Sequence, residues 1–216
     1  MATTGAVVAL AGVLTLLVSG GATGADAEHC ARLATQSQAR ERMVTGHGER
    51  VAVIGDSYSV GLGLRDPATS WPSRLPGRVQ VFGFSGSGFS AHSSPCRNVT
   101  YADRAAQALG SRPALVVVEG GLNDYDQPTG AVREGFRALI RDLRGHDVVV
   151  VGPPPAPARA AAAERIDALL RAESTRAGVR YVSVIDHPFS YLDDELHLTP
   201  AGHRDFGRLV ADALDG

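Results

Sequence analysis

The sequence contains no lysine, and all 21 of its Lys and Arg positions are arginine. A P-loop, whose lysine reaches the nucleotide phosphates, is therefore absent. The bias, together with abundant alanine, glycine and valine, reflects a GC-rich genome and carries no functional information. Cysteine is scarce too: Cys30 and Cys96 stand alone, too far apart for a zinc site or a redox pair. No His-Glu-x-x-His occurs, and no Gly-x-Ser-x-Gly marks the nucleophile elbow of the α/β-hydrolases. Trp71 is the only tryptophan and reads as a packing residue, whereas a glycan-binding module would display several exposed aromatics. Repeats and low-complexity tracts are missing. The net charge is -2 and the arginines are interspersed with acids, so nucleic acid is not an expected partner. At 216 residues the chain suits one domain with a sizeable core.

Residues 6–18 form an apolar run, small residues follow it, and Ala25-Asp26-Ala27 offers an Ala-x-Ala cleavage site. Residues 1–27 read as a secretory signal peptide, with an uncleaved N-terminal anchor as the competing reading because no Arg or Lys precedes the run. Residues 28–216 then form the single folded domain. In an exported protein the two cysteines are expected to pair, and closing so long a loop contributes roughly 4 kcal/mol in the chain-entropy model.

Residues 28–43 have the composition of a helix that Cys30 staples to the body, broken at Thr45-Gly46-His47-Gly48. Five apolar runs follow, at Val51–Ile54, 78–84, 114–119, 147–151 and 179–185. Helical patterns fall between and after them, at 60–64, 103–109, 131–143, 158–177 and 201–214. Strands alternating with helices imply a parallel sheet covered on both faces, an α/β sandwich of three layers. In such sheets ligands bind beyond the carboxyl ends of the strands. Polar clusters stand there after the first, second, third and fifth strands. They are Gly55-Asp56-Ser57, Gly83-Phe84-Ser85-Gly86, Gly121-Leu122-Asn123-Asp124 and Asp194-Glu195-Leu196-His197.

In order, spacing and strand context these four motifs resemble those of the SGNH/GDSL hydrolase superfamily, over roughly Val51 to Val210. The resemblance implies a flavodoxin-like five-stranded parallel sheet and a serine esterase that uses no cofactor. It implies Ser57 as nucleophile, His197 as its base and Asp194 as the residue orienting that base. Asp193 and Glu195 are rivals to Asp194 by proximity, but only Asp194 matches the family spacing. The oxyanion donors would be the Ser57 and Gly86 N–H groups and the Asn123 amide, with Gly88 an alternative loop donor. A serine hydroxyl needs a base to become nucleophilic, and a tetrahedral oxyanion needs donors fixed in advance, so the residue types suit the chemistry.

Around this set, Asp56 is expected to shape the first turn, His203 to cap or pack, and His92 to be exposed beside the Gly/Ser loop. The acidic residues near His197 are too crowded in sequence to suggest a metal site. The substrate is expected to be a small-molecule, polysaccharide or lipid ester. Short connections without a lid favour short acyl chains or acylated carbohydrates. Acyl transfer or lipid hydrolysis, and a silent glycan-binding module, are the alternatives. A monomer with at most transient membrane or cell-envelope association completes the reading.

Overall fold

β1 (Arg50–Gly55) is the centre of the molecule, and its side chains alternate between two apolar cores. Val51 and Val53 face one layer of helices, Ala52 and Ile54 the other. A strand apolar on both sides must be covered on both sides, and the sequence pattern therefore selects a three-layer fold. The computed structural model describes the backbone of residues 11–215 and the side chains of residues 26–215. β2 (Arg78–Gly83), β3 (Leu115–Glu119), β4 (Val148–Val151) and β5 (Arg180–Val182) complete a wholly parallel sheet, ordered β2-β1-β3-β4-β5. The order reverses beside β1, which places a switch point between β1 and β3.

The helices are α1 (Ala11–Glu41), α2 (Ser57–Val60), α3 (Ala105–Gly110), α4 (Thr129–Asp142), α5 (Ala160–Ala177) and α6 (Pro200–Asp215). α3, α4 and α5 cover one face through residues such as Ala105, Phe136 and Leu170. α6 and the 3-10 turn Trp71–Arg74 cover the other, where Trp71 is fully buried with its ring 5.1 Å from that of Phe206. α1 runs against β2, with Ser37 Oγ donating to the Gly83 carbonyl at 2.6 Å. Cys30 and Cys96 are joined as a disulfide across 66 residues, tying α1 to the segment that follows the Gly/Ser loop. Thr45 bridges Val79 in the antiparallel sense, which partly covers the β2 edge.

The helix expected over 28–43 is the C-terminal part of α1, most other element ends move by one or two residues, and three boundaries have a local cause. The helix expected through Leu64 stops at Val60, because Gly61 takes a left-handed conformation (φ 85°). β5 ends at Val182 rather than 185: Gly152 donates to the Val182 carbonyl, but Pro153, Pro154 and Pro155 of the adjoining segment after β4 have no N–H to continue the ladder. The helix expected from Ala158 begins at Ala160, since Arg159 has left helical geometry (φ -139°, ψ 25°). The leader reading begins on residues 1–10, which lie outside the described residues, and its cleavage point at 27 falls within α1. Among the described residues no helix is long and apolar enough to cross a membrane.

Candidate active site

β1 delivers Ser57 to the sheet edge as the first residue of α2, with Asp56 capping that turn by accepting from the Tyr58 N–H at 3.0 Å. Ser57 Oγ lies 3.2 Å from His197 Nε2. On the other side of the ring, His197 Nδ1 lies 2.7 Å from Asp194 Oδ2. Asp194 is placed by its own backbone. Its Oδ1 accepts from the N–H groups of Leu196 at 3.0 Å and His197 at 2.9 Å, and Glu195 adopts a left-handed conformation (φ 53°) that folds the segment back. Of the three neighbouring acids it is thus Asp194, not Asp193 or Glu195, that holds the imidazole. The imidazole hydrogen bond, helped by the backbone donors, lowers the Asp194 pKa to about 2 although the side chain is 48% exposed. Tyr58 fastens this loop to the nucleophile turn, its hydroxyl donating to the Leu196 carbonyl.

Gly86 and Gly88 are distinguished by what lies above them. Gly86 is left-handed (φ +81°), and a Cβ there would meet nothing within 4 Å. A Cβ on Gly88 would fall 2.4 Å from Asp124 Oδ2, so Gly88 is tucked beneath the loop while Gly86 faces open space. The N–H groups of Ser57 and Gly86 have no protein acceptor among the described residues. The loop between them is held from below. Buried Arg104 donates to the carbonyls of Gly55 at 2.8 Å and Phe82 at 2.9 Å, to that of Val99, and to Ser87 Oγ at 3.0 Å. Asp124 accepts from the N–H groups of Phe89 at 2.9 Å and Ser90 at 2.8 Å, and burial pushes its carboxyl up to about 7.

Asn123 stands on the turn after β3, reached through Gly120 and Gly121. Gly120 (φ +132°) has no room for a side chain, because a Cβ would lie 2.1 Å from the Tyr101 hydroxyl and 2.8 Å from Asp56 Oδ2. Asn123 Nδ2 donates to the Ser87 carbonyl at 2.9 Å and, at greater length, to Asp56 Oδ2 at 3.3 Å. Its Oδ1 accepts from Arg159 Nη1 at 3.0 Å. The expected site residues Ser57, Gly86, Asn123, Asp194 and His197 are therefore brought to one sheet edge. Among the described residues no cluster of three His, Cys, Asp or Glu side chains is arranged to hold a metal ion.

Beneath the site lies a buried polar layer that the motifs did not reveal. Asp56 is inaccessible to solvent and accepts from the Tyr101 hydroxyl at 3.1 Å as well as from Tyr58. Burial pushes its carboxyl up, against the pull of those two donors. Glu119, equally buried at the end of β3, has its carboxyl pushed well up by burial and by the charge of Asp56. It accepts from Ser59 Oγ at 2.7 Å through Oε2. Burial lowers the Arg104 pKa only to about 10, so a buried cation faces the ionisable Asp56. The one available signal was an acid closing the apolar run Val116-Val117-Val118-Glu119. His203 packs, accepting from the Trp71 N–H through Nδ1 at 3.3 Å, with its pKa lowered to about 4 by burial. His92 is exposed. A groove of about 670 Å³ lies at the opposite end of the sheet. Arg141 and Arg176 there sit in the last turns of α4 and α5, the ordinary place for cations, and Arg137 is paired with Glu173 at 2.9 Å.

A five-stranded parallel sheet with a Gly-Asp-Ser turn, a Gly/Ser loop, an Asn turn and a His loop on one edge defines a hydrolase of the SGNH fold. The model of the GDSL-like lipase/acylhydrolase family matches residues 53–204, and the chain belongs to that family. It is a carboxylic ester hydrolase. Among solved structures it is similar to Est24, a carbohydrate acetylesterase from Sinorhizobium meliloti, at TM-score 0.66 and 18% identity over 78% of this chain and 99% of that one. The inhibitor-bound aryl esterase of M. smegmatis aligns at TM-score 0.66 and 17% identity over 78% and 99%. A putative arylesterase from Agrobacterium tumefaciens aligns at TM-score 0.65 and 22% identity over the same shares, 78% and 99%. No curated protein matches the chain.

Proposed function

We propose that the chain hydrolyses esters through an acyl-serine intermediate on Ser57. His197 Nε2 takes the Ser57 proton as Oγ attacks the acyl carbon, and Asp194 holds the ring in the required tautomer and stabilises the imidazolium. Charge on the carbonyl oxygen is received by the N–H groups of Ser57 and Gly86 and by Asn123 Nδ2. The Asn123 proton in the long 3.3 Å contact with Asp56 is the one a substrate oxygen would draw away. His197 then protonates the leaving alcohol. Water repeats the sequence and frees the acid. The observation that carries this reading is the unbroken chain Ser57–His197–Asp194, at 3.2 Å and 2.7 Å.

Short acyl esters and acylated carbohydrates are the substrates we favour. Tyr125, 45% exposed, presents an aromatic ring on the Asn123 turn. Carbohydrate acetyl and aryl esters are also what the similar structures are named for. Residues 1–27 act in this reading as an export leader, which accords with the Cys30–Cys96 disulfide.

The test is turnover of p-nitrophenyl acetate, butyrate, octanoate and palmitate by the full chain, with Ser57→Ala in parallel. Rates falling with chain length and abolished by the substitution support the proposal. Equal rates in both proteins refute the serine mechanism, and preference for palmitate refutes the short-chain assignment. An added alcohol that diverts the acyl group from water would identify a transferase.

A further inference from the structure

The strand that contributed no motif also reaches the site. After β4 the chain runs through Gly152-Pro153-Pro154-Pro155, and the Ala158 N–H donates to the Glu195 carbonyl at 3.1 Å, which binds this segment to the His197 loop. The next residue, Arg159, stands just before α5 and turns its guanidinium onto the Asn123 turn. Nη1 donates to the Leu122 carbonyl at 3.1 Å and to Asn123 Oδ1 at 3.0 Å, and the guanidinium carbon sits 4.1 Å from the centroid of the Tyr125 ring. A cation at the start of an 18-residue helix opposes the helix dipole, so these contacts, not the helix, hold it there.

An Asn amide has a donor end and an acceptor end, and nothing in its shape prevents a flip. Here the surroundings do. A guanidinium can only donate, and it faces Oδ1; the Ser87 carbonyl, which can only accept, faces Nδ2. Flipping Asn123 would set nitrogen against cation and oxygen against oxygen. A cation on the amide oxygen also polarises the group and strengthens its N–H donors.

From this geometry we propose that Arg159 is a positioning residue for the oxyanion hole. It locks the Asn123 amide with Nδ2 toward the reacting oxygen and raises its donor strength, without touching the substrate itself. The proposal rests on the acyl-serine reading and on Asn123 as an oxyanion donor.

Its test is a double-mutant cycle on the full chain with p-nitrophenyl acetate: Arg159→Met, Asn123→Ala and the two combined, with Ser57→Ala as control. Asn123→Ala should cost about a hundred- to a thousandfold in kcat. Arg159→Met should cost about ten- to a hundredfold in kcat with KM nearly unchanged, and almost nothing further when Asn123 is already alanine. Arg159→Lys, which keeps the charge but not the planar fork, should recover part of the loss; it also serves if Arg159→Met does not fold. Multiplying losses in the double variant, a loss carried by KM, or an unchanged kcat would overturn the proposal. Activity surviving in Ser57→Ala, or full kcat in Asn123→Ala, would instead sink the reading beneath it. With Ser57→Ala dead and Asn123→Ala slow, a silent Arg159→Met condemns this inference alone.

Discussion

Asp56 and Asp194 are the same residue type, each within hydrogen-bond reach of the site, yet their surroundings move them in opposite directions. Asp56 is sealed under the nucleophile turn, and burial raises its pKa; Asp194 lies half in solvent, and the imidazole and two backbone N–H groups lower its pKa to about 2. The difference divides the site into two halves. The buried half, Asp56 with Tyr101, Arg104, Glu119 and Asp124, is a scaffold that fixes donors before any substrate arrives. The exposed half, residues 193–199, supplies the groups that exchange protons, and solvent contact keeps its carboxylate charged. Preorganisation needs low dielectric and proton traffic needs water, so one site is built from both.

The sharpest way to break this division is to disable one half at a time. His197→Ala should lower kcat about ten-thousandfold or more while changing the melting temperature little, as the ring's hydrogen bonds go only to the reacting Ser57 and the half-exposed Asp194. Arg104→Met should do the reverse, removing about 3–5 kcal/mol from urea unfolding because it leaves the buried carbonyls of Gly55 and Phe82 without their donor and takes a cation from the neighbourhood of Asp56. A small stability loss there would mean that the buried half is not a scaffold. Asp194→Asn should be slower than Asp194→Ala. An Asn amide can turn a donor toward His197 Nδ1 and impose the wrong tautomer, a loss of about ten-thousandfold in kcat, whereas alanine admits water and costs less. The opposite ranking would remove the orienting role from Asp194.

The smallest effects are in pH and distinguish the two aspartates by sign. Asp194 has a depressed folded pKa, so its contribution is complete above the unfolded carboxylate pKa of about 3.9 and is lost as pH falls toward its folded value of about 2. Asp56 has a raised folded pKa, so stability falls as pH rises from about 4 through its folded value. Urea titrations across pH should therefore lose the acid limb in Asp194→Asn and flatten the slope above pH 4 in Asp56→Asn. Identical pH profiles in the two variants would contradict the assignment of buried and exposed roles.

The same division governs what could be read from the sequence. Ser57, Asn123 and His197 are legible because each follows an apolar run, and strand ends in a parallel sheet meet at one edge. β1, β3 and β4 and the inward face of α4 are legible because their periodicity is forced by burial. Arg104, Tyr101 and Arg159 are not, because nothing local marks an arginine or tyrosine that will act on a residue tens of positions away. Tyr101 gives its hydroxyl to Asp56 across 45 residues, and Arg159 reaches Asn123 across 36. The loss of β5 after Val182 was equally hidden, since it depends on prolines in the adjoining segment after β4 and not on its own β-branched residues.

The central claim, a single acylated serine activated from the exposed half, is tested most directly by intact-mass and peptide analysis after treatment with a fluorophosphonate. We predict one adduct per chain, located on Ser57, absent in Ser57→Ala and much slower to form in His197→Ala. An adduct on another residue, or one formed at the same rate without His197, would contradict the account.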